Sequence, residues 1–219
     1  MKENQLENDK VSRAWLQLRE KYELTDDQVK TFERYIELLL AWNENMSLTA
    51  ITRPEQIILD HFMDSLEITQ MTPIDKLHMI ADVGSGAGFP GVPLKIKYPH
   101  LKIVLIEVVG KKIAFLRNLI QELDLKDVEL YTVDWRTFLR KTNYPIDLFL
   151  TRASLPMSEL FRMFKPSSPY KQAQLIYWAS KLWEATDEEK AFMKDEYAYQ
   201  LGHKKRKLIV FGSPIKPAL

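Results

Sequence analysis

The chain of 219 residues contains no cysteine. Disulfide staples and thiol chemistry are thereby excluded, together with thiolate zinc sites. Histidine is almost as scarce. His61, His78, His100 and His203 stand apart without ligand spacing, so no metal centre is expected. No run of about 18 apolar residues occurs, which argues against a transmembrane helix. The opening residues MKENQLENDK lack the apolar stretch of a secretory signal, so the expectation is a cytoplasmic protein with no membrane partner. An excess of one charge is missing too: 31 Lys+Arg against 30 Asp+Glu leave +1. No global field announces a nucleic-acid ligand, although local patches can still provide one. Basic residues cluster at Lys111-Lys112, Arg140-Lys141 and Lys204-Lys205-Arg206-Lys207, and each cluster taken singly reads equally well as solvated surface.

What is present describes a globular α/β chain. Apolar residues make up 46% and charged residues 28%, ordinary for a folded domain. Val11, Trp15, Leu18 and Tyr22 recur at helical spacing. A second helix has clear punctuation: Thr25 as N-cap, Gln28 completing a capping box, and Leu24 with Val29 as a hydrophobic staple. Asp26 and Asp27 favour the positive end of its dipole. A third helix starts at Pro54 and carries Ile58, Phe62 and Leu66 inward. Beyond about residue 75, short apolar runs alternate with helical stretches. Candidate strands are Met79–Val83, Lys102–Val108, Val128–Val133, Ile146–Thr151, Leu175–Trp178 and Lys207–Phe211. The expected architecture is a mostly parallel α/β sheet at 73–219 preceded by a helical extension at 1–72.

The strongest chemical signal follows the first strand: Asp82-Val83-Gly84-Ser85-Gly86-Ala87-Gly88-Phe89-Pro90-Gly91. Glycines there let the backbone turn sharply and come close to a ligand. Pro90 fits the first helical position and Pro93 the fourth, neither of which needs its N–H. Two readings compete. Gly86-x-Gly88-x-x-Gly91 matches the dinucleotide fingerprint. Asp82-x-Gly84-x-Gly86-x-Gly88 matches the acid-led glycine motif of class I S-adenosylmethionine (SAM) methyltransferases, in which the acid points towards the sulfonium. A carboxylate beneath the loop disfavours a pyrophosphate. Glu107, about twenty residues on at the end of the second strand, suits the ribose hydroxyls under either reading. Asp134 ends the third strand and is a candidate acceptor for an adenine amino group, with the Trp135 ring beside it. His61 and Asp64, three apart on one helix face, read as a structural pair joining the extension to the sheet. Trp42 and Asn43 read as cap and packing.

Further motifs accompany this loop: Trp42-Asn43 with Ser47-Leu48-Thr49, His61-x-x-Asp64-Ser65-Leu66, Gly110-Lys111-Lys112-x-x-x-Phe115-Leu116, and Thr151-Arg152-Ala153. In this order they resemble the bacterial GidB/RsmG family, which methylates guanine N7 in small-subunit (16S) ribosomal RNA with SAM. The likeness covers roughly residues 24–155. It implies a class I, Rossmann-like methyltransferase fold, SAM as cofactor, and 16S ribosomal RNA or a small-subunit precursor as partner, with the protein acting as a monomer. It also implies a SAM site at Asp82, Gly84, Ser85, Gly86, Gly88, Phe89 and Glu107, closed by Asp134, Trp135 and Arg136. Arg152 would face cofactor and RNA, with Lys111 and Lys112 as a basic pair at the active cleft. The 134–137 loop departs from the family's usual acidic pattern, and beyond Ala153 the likeness thins. The other readings are an NAD(P)-dependent oxidoreductase, a SAM enzyme with a small-molecule substrate, and a diverged RNA-binding relic.

Overall fold

Alternation along the strands decides which side of the sheet each residue serves. Ile80, Ile103, Leu105, Leu148, Leu150, Ile176, Leu208 and Val210 point into one apolar core. Their neighbours Ala81, Val104, Ile106, Phe149, Leu175 and Ile209 point into a second core on the opposite face. This is the two-sided burial of a parallel sheet covered on both faces. The structure, a computed structural model, describes residues 2–152 and 154–212, with side chains from Leu6 onward.

Seven strands form one sheet: β1 Met79–Val83, β2 Lys102–Ile106, β3 Val128–Tyr131, β4 Leu148–Thr151, β5 Gln174–Ser180, β6 Met193–Leu201 and β7 Lys204–Phe211. Their order is β3-β2-β1-β4-β5-β7-β6. The first five pair in parallel, and β7 runs antiparallel to both β5 and β6. This is the mostly parallel α/β class implied by the sequence. Strand β6 has no counterpart among the expected strands, and β7 starts three residues earlier than the apolar run Lys207–Phe211. Strand order reverses between β1 and β4, so a crevice opens at the carboxyl ends of those two strands.

The helices that shape the crevice are α1 Lys2–Lys21, α2 Asp26–Met46, the 54–66 helix (α3), α4 Gly91–Lys97, α5 Gly110–Glu122 and α6 Trp135–Lys141. Thr25 caps α2 as the sequence indicates: its hydroxyl accepts from Gln28 N–H while the Gln28 amide oxygen accepts from Thr25 N–H. Helix α3 is α-helical at Pro54–Ile57, π-helical at Ile58–Met63 and α-helical again at Asp64–Leu66. Its Ile58, Phe62 and Leu66 are fully buried. Phe62 stands 4.7 Å from Phe32 and 5.3 Å from Tyr35, centroid to centroid. Each such buried side chain contributes about 1.5–3 kcal/mol through area alone. The 1–72 helices therefore share the core that lies beneath α4 and α5.

Candidate active site

The loop after β1 is a backbone structure. Gly84 and Ser85 N–H both donate to the Ile106 carbonyl, at 2.8 and 3.1 Å, which stitches the loop to the end of β2. Gly84 adopts φ +73°, and a Cβ there would lie 2.1 Å from the Ser154 Cβ. Only glycine fits that approach. Gly86 has φ +61° with open space where its Cβ would be, so the loop presents bare backbone to the crevice. Gly88 lies further back, against Tyr35 and Val92. Ser85 is buried, and its hydroxyl donates to the Asp82 carbonyl.

Asp82 departs from expectation. Its carboxylate lies beneath the loop, fully buried, and accepts the Gly91 N–H at 2.8 Å. It holds the start of α4 and is absent from the cavity wall. Its other oxygen, Oδ1, has no partner among the described residues. Burial pushes this carboxyl up to about 7, opposed by the Gly91 hydrogen bond and the Arg152 charge and assisted by the Glu107 charge. Helix α4 also begins one residue later than the prolines suggested: Pro90 is its N-cap, Gly91 its first residue and Pro93 its third. Pro93 still sits where no intrahelical N–H partner exists.

Glu107 faces the loop from the end of β2. Its Oε2 accepts Gly86 N–H at 2.9 Å, and its Oε1 accepts Val108 and Val109 N–H at 2.8 and 2.9 Å. A carboxylate has about four acceptor positions. Three are filled, and the fourth remains on Oε2. The Lys112 ammonium is 3.9 Å from that oxygen. Val108 and Val109 beside it are exposed, an unusual state for adjacent valines.

Across the crevice the wall is made of side chains. Arg152, just after β4, donates to the Asp60 carbonyl at 3.3 Å, to Asp64 Oδ2 at 3.2 Å and to His61 Nδ1 at 3.1 Å. Its guanidinium lies 5.1 Å from the Phe89 ring centroid. His61 stacks on the other side of the site's aromatic set, 4.4 Å from Phe89. Asp64 is fully buried. It also accepts from Arg206 at 3.2 Å and from the Tyr199 hydroxyl at 2.6 Å, while its carbonyl takes the Trp178 indole N–H at 2.8 Å. The His61–Asp64 pair does tie the extension to the sheet. It does so through Arg152, because the two side chains share that donor and do not bond each other. Burial, reinforced by the Arg152 and Arg206 charges, pulls the His61 ring down to about 3. It is neutral.

Loop and wall enclose a cavity of about 380 Å³. Of the residues singled out in the sequence, Gly84, Ser85, Gly86, Phe89, Glu107, Lys112, Asp134, Trp135 and Arg152 line it. Thr49, His61 and Ser154 line it as well, although the sequence offered no binding role for them. Asp134 is the N-cap of α6, accepting the Thr137 N–H at 3.0 Å and the Thr137 hydroxyl at 2.7 Å, which holds its carboxyl below the usual range. Trp135 is buried against Phe138 and Phe149, with its indole N–H on the Glu159 carbonyl. Arg136 forks onto Glu159, two bonds of 2.7 Å, and is not on the wall. Lys111 is exposed on the first turn of α5, outside the lining. The Lys204–Lys207 cluster is largely neutralised: Lys204 pairs with Asp60, Arg206 with Asp64 and Lys207 with Glu196. Ala153 lies outside the described residues. Asn43 does cap, accepting Leu48 and Thr49 N–H, and Trp42 packs on Phe115.

A family model, GidB, described as rRNA small subunit methyltransferase G, matches residues 28–209. The chain belongs to this family. Curated relatives named Ribosomal RNA small subunit methyltransferase G include one from Listeria monocytogenes, 41% identical over 146 residues, covering 66% of this chain and 61% of that one. Another, from a Geobacillus species, is 43% identical over 145 residues, covering 65% and 61%. The chain matches about three fifths of the length of these relatives. Among solved structures, a human methyltransferase 10 domain containing protein superposes with TM-score 0.58 at 14% identity, covering 86% of this chain and 98% of that one. MtNAS in complex with MTA and tNA gives 0.58 at 12% identity, covering 91% and 82%. At these identities the likeness establishes the fold, that of class I methyltransferases. No helix among the described residues is long and apolar enough to cross a membrane.

Proposed function

We propose that the chain transfers a methyl group from SAM to guanine N7 in 16S ribosomal RNA, free or within a small-subunit precursor, acting as a cytoplasmic monomer. The observation that carries this is Glu107: a buried carboxylate with one acceptor position left, beside a bare glycine loop at the switch point of a GidB-family sheet. The residues fit a nucleoside cofactor. Gly84, Ser85 and Gly86 offer backbone, Glu107 offers the ribose acceptor, and the exposed Val108 and Val109 offer an apolar seat for a base. Asp134 and Trp135 close that end. Asp82 Oδ1, without a partner among the described residues, leaves negative character beneath the loop that suits a cofactor carrying positive charge. When bound, SAM supplies an electrophilic methyl group.

The chain's own chemistry is then orientation. Guanine N7 carries a lone pair and no proton, so no general base is required. The acid–base groups among the described lining residues are committed to the protein itself: both ring nitrogens of His61 are engaged, three of the four Glu107 positions are filled, and both Asp134 carboxylate oxygens accept from Thr137, while Asp82 is off the wall. Holding two reactants in attack geometry is worth about 7–11 kcal/mol in favourable cases. Arg152 keeps two of its five N–H groups uncommitted, and with Lys112 and Lys111 it supplies positive charge for the RNA backbone. Titration calorimetry with SAM and NAD, followed by label transfer from SAM to 16S RNA, tests the reading. SAM binding with RNA labelling is expected. NAD binding without SAM binding would overturn it.

A further inference from the structure

We infer that Thr49 reads the target base: its hydroxyl, with both lone pairs filled from within the protein, offers a ligand only its proton and therefore selects guanine over adenine. This rests on the methyltransferase reading above and adds the residue that sets its specificity. The argument begins with Arg152. A guanidinium only donates, so the 3.1 Å contact to His61 Nδ1 requires that nitrogen to be an acceptor. A neutral His61 then carries its proton on Nε2. That nitrogen lies 2.9 Å from Thr49 Oγ1, so the hydroxyl oxygen accepts from it. The same oxygen accepts Ile51 N–H at 3.1 Å. Both lone pairs of the hydroxyl are now filled, and its own proton has no acceptor among the described residues. Thr49 lines the cavity. Along the edge that carries N7, guanine presents a second acceptor, O6, whereas adenine presents an amino donor there. A hydroxyl with filled lone pairs can bond O6 and cannot accept from that amino group. The chain Arg152–His61–Thr49 thus converts an ordinarily ambivalent hydroxyl into a fixed donor.

Three variants and one modified RNA test this. With SAM saturating, the parent should methylate RNA carrying guanine at the target roughly tenfold or more faster than RNA carrying 2-aminopurine there, which keeps N7 and lacks O6. Thr49→Val should lower the rate on guanine by a similar factor and bring the two RNAs close to parity, with SAM affinity by calorimetry unchanged. Thr49→Ser should keep the preference. His61→Phe, which frees the threonine lone pair, should weaken discrimination against adenine. Independently of activity, nitrogen NMR of the parent should show His61 protonated at Nε2. The inference is overturned if His61 is protonated at Nδ1 or if the guanine preference survives Thr49→Val. It is equally overturned if Thr49→Val weakens SAM binding tenfold, because the hydroxyl would then serve the cofactor. If Thr49→Val fails to fold, the parent's 2-aminopurine ratio and the His61 tautomer decide the matter. A parent that forms no 7-methylguanosine defeats the methyltransferase reading itself, and this assignment falls with it.

Discussion

The loop wall of the cavity, Gly84 to Ala87, is made of backbone whose partners are the end of β2, the Tyr35 hydroxyl and one carboxylate, Glu107, 21 positions away from Gly86. The opposite wall is made of side chains whose partners lie far along the chain: Arg152 to Asp64 across 88 positions and Arg206 to Asp64 across 142. The first wall depends on close approach and on space that only glycine leaves. The second depends on charge neutralised in a dry interior, where one acceptor, Asp64, serves two guanidiniums and a phenol. Backbone walls tolerate substitution of their neighbours and punish an added Cβ. Side-chain walls fail when a single member is removed, because the remaining charges are left buried and unpaired.

The sharpest way to break that contrast is Asp64→Ala. It strands Arg152 and Arg206, and a loss of about 3–5 kcal/mol is expected from denaturant unfolding. A loss below about 1 kcal/mol would show that the network is dispensable. Arg152→Ala takes from the buried Asp64 one of its two guanidiniums and leaves Arg206 and Tyr199, so its effect on turnover mixes lost orientation with a smaller loss of stability.

On the backbone wall, Glu107→Ala is expected to weaken SAM binding by roughly 1–3 kcal/mol in calorimetry. Glu107→Gln should fall between, since it keeps an acceptor for one set of N–H groups. Equal affinity for Glu107→Ala and the parent would remove the ribose role.

How much of this was legible in the sequence follows from the same contrast. The glycine loop, Glu107 and the Thr25 cap were readable because local spacing encodes them. The bond from Gly91 N–H to Asp82 was not legible, because an acid before a glycine loop looks the same whether it faces a ligand or holds the next helix. The N-cap role of Asp134 was likewise passed over, although Thr137 stands three residues on. The Arg152 partners were invisible, since nothing local in His61-x-x-Asp64 reports a donor arriving from β4. Strand β6 escaped because its exposed Lys194, Asp195 and Glu196 suit a sheet edge and carry little apolar signal. The Lys204–Lys207 run read equally as a basic patch and as solvated surface. On a strand its members alternate, so Lys204 and Arg206 reach the acids of α3 while Lys207 reaches Glu196 on β6.

A subtler expectation separates the walls by pH. Asp82, raised to about 7 from 3.8, stabilises the fold below about pH 4, and that contribution fades as pH rises to 7. His61, lowered to about 3 from 6.5, does the reverse: its contribution is complete above about 6.5 and is lost as pH falls to 3. Between about pH 4 and 6.5 the two slopes oppose, each about 1.4 kcal/mol per pH unit. Asp82→Asn should therefore steepen the rise of stability with pH over that window relative to the parent. His61→Asn, which keeps an acceptor near Arg152, should make stability fall with pH. Parallel curves for all three proteins, from urea unfolding at several pH values, would show that neither group carries the shift.

The most direct test of the central claim is the identity of the methylated atom. After incubation of the chain with SAM and small-subunit RNA, nucleoside mass spectrometry should show 7-methylguanosine and no other methylated nucleoside. A methyl group on an exocyclic amine or a ribose hydroxyl, each of which must lose a proton, would call for a base where the lining carboxylates and His61 are committed to the protein's own hydrogen bonds, and would contradict the account.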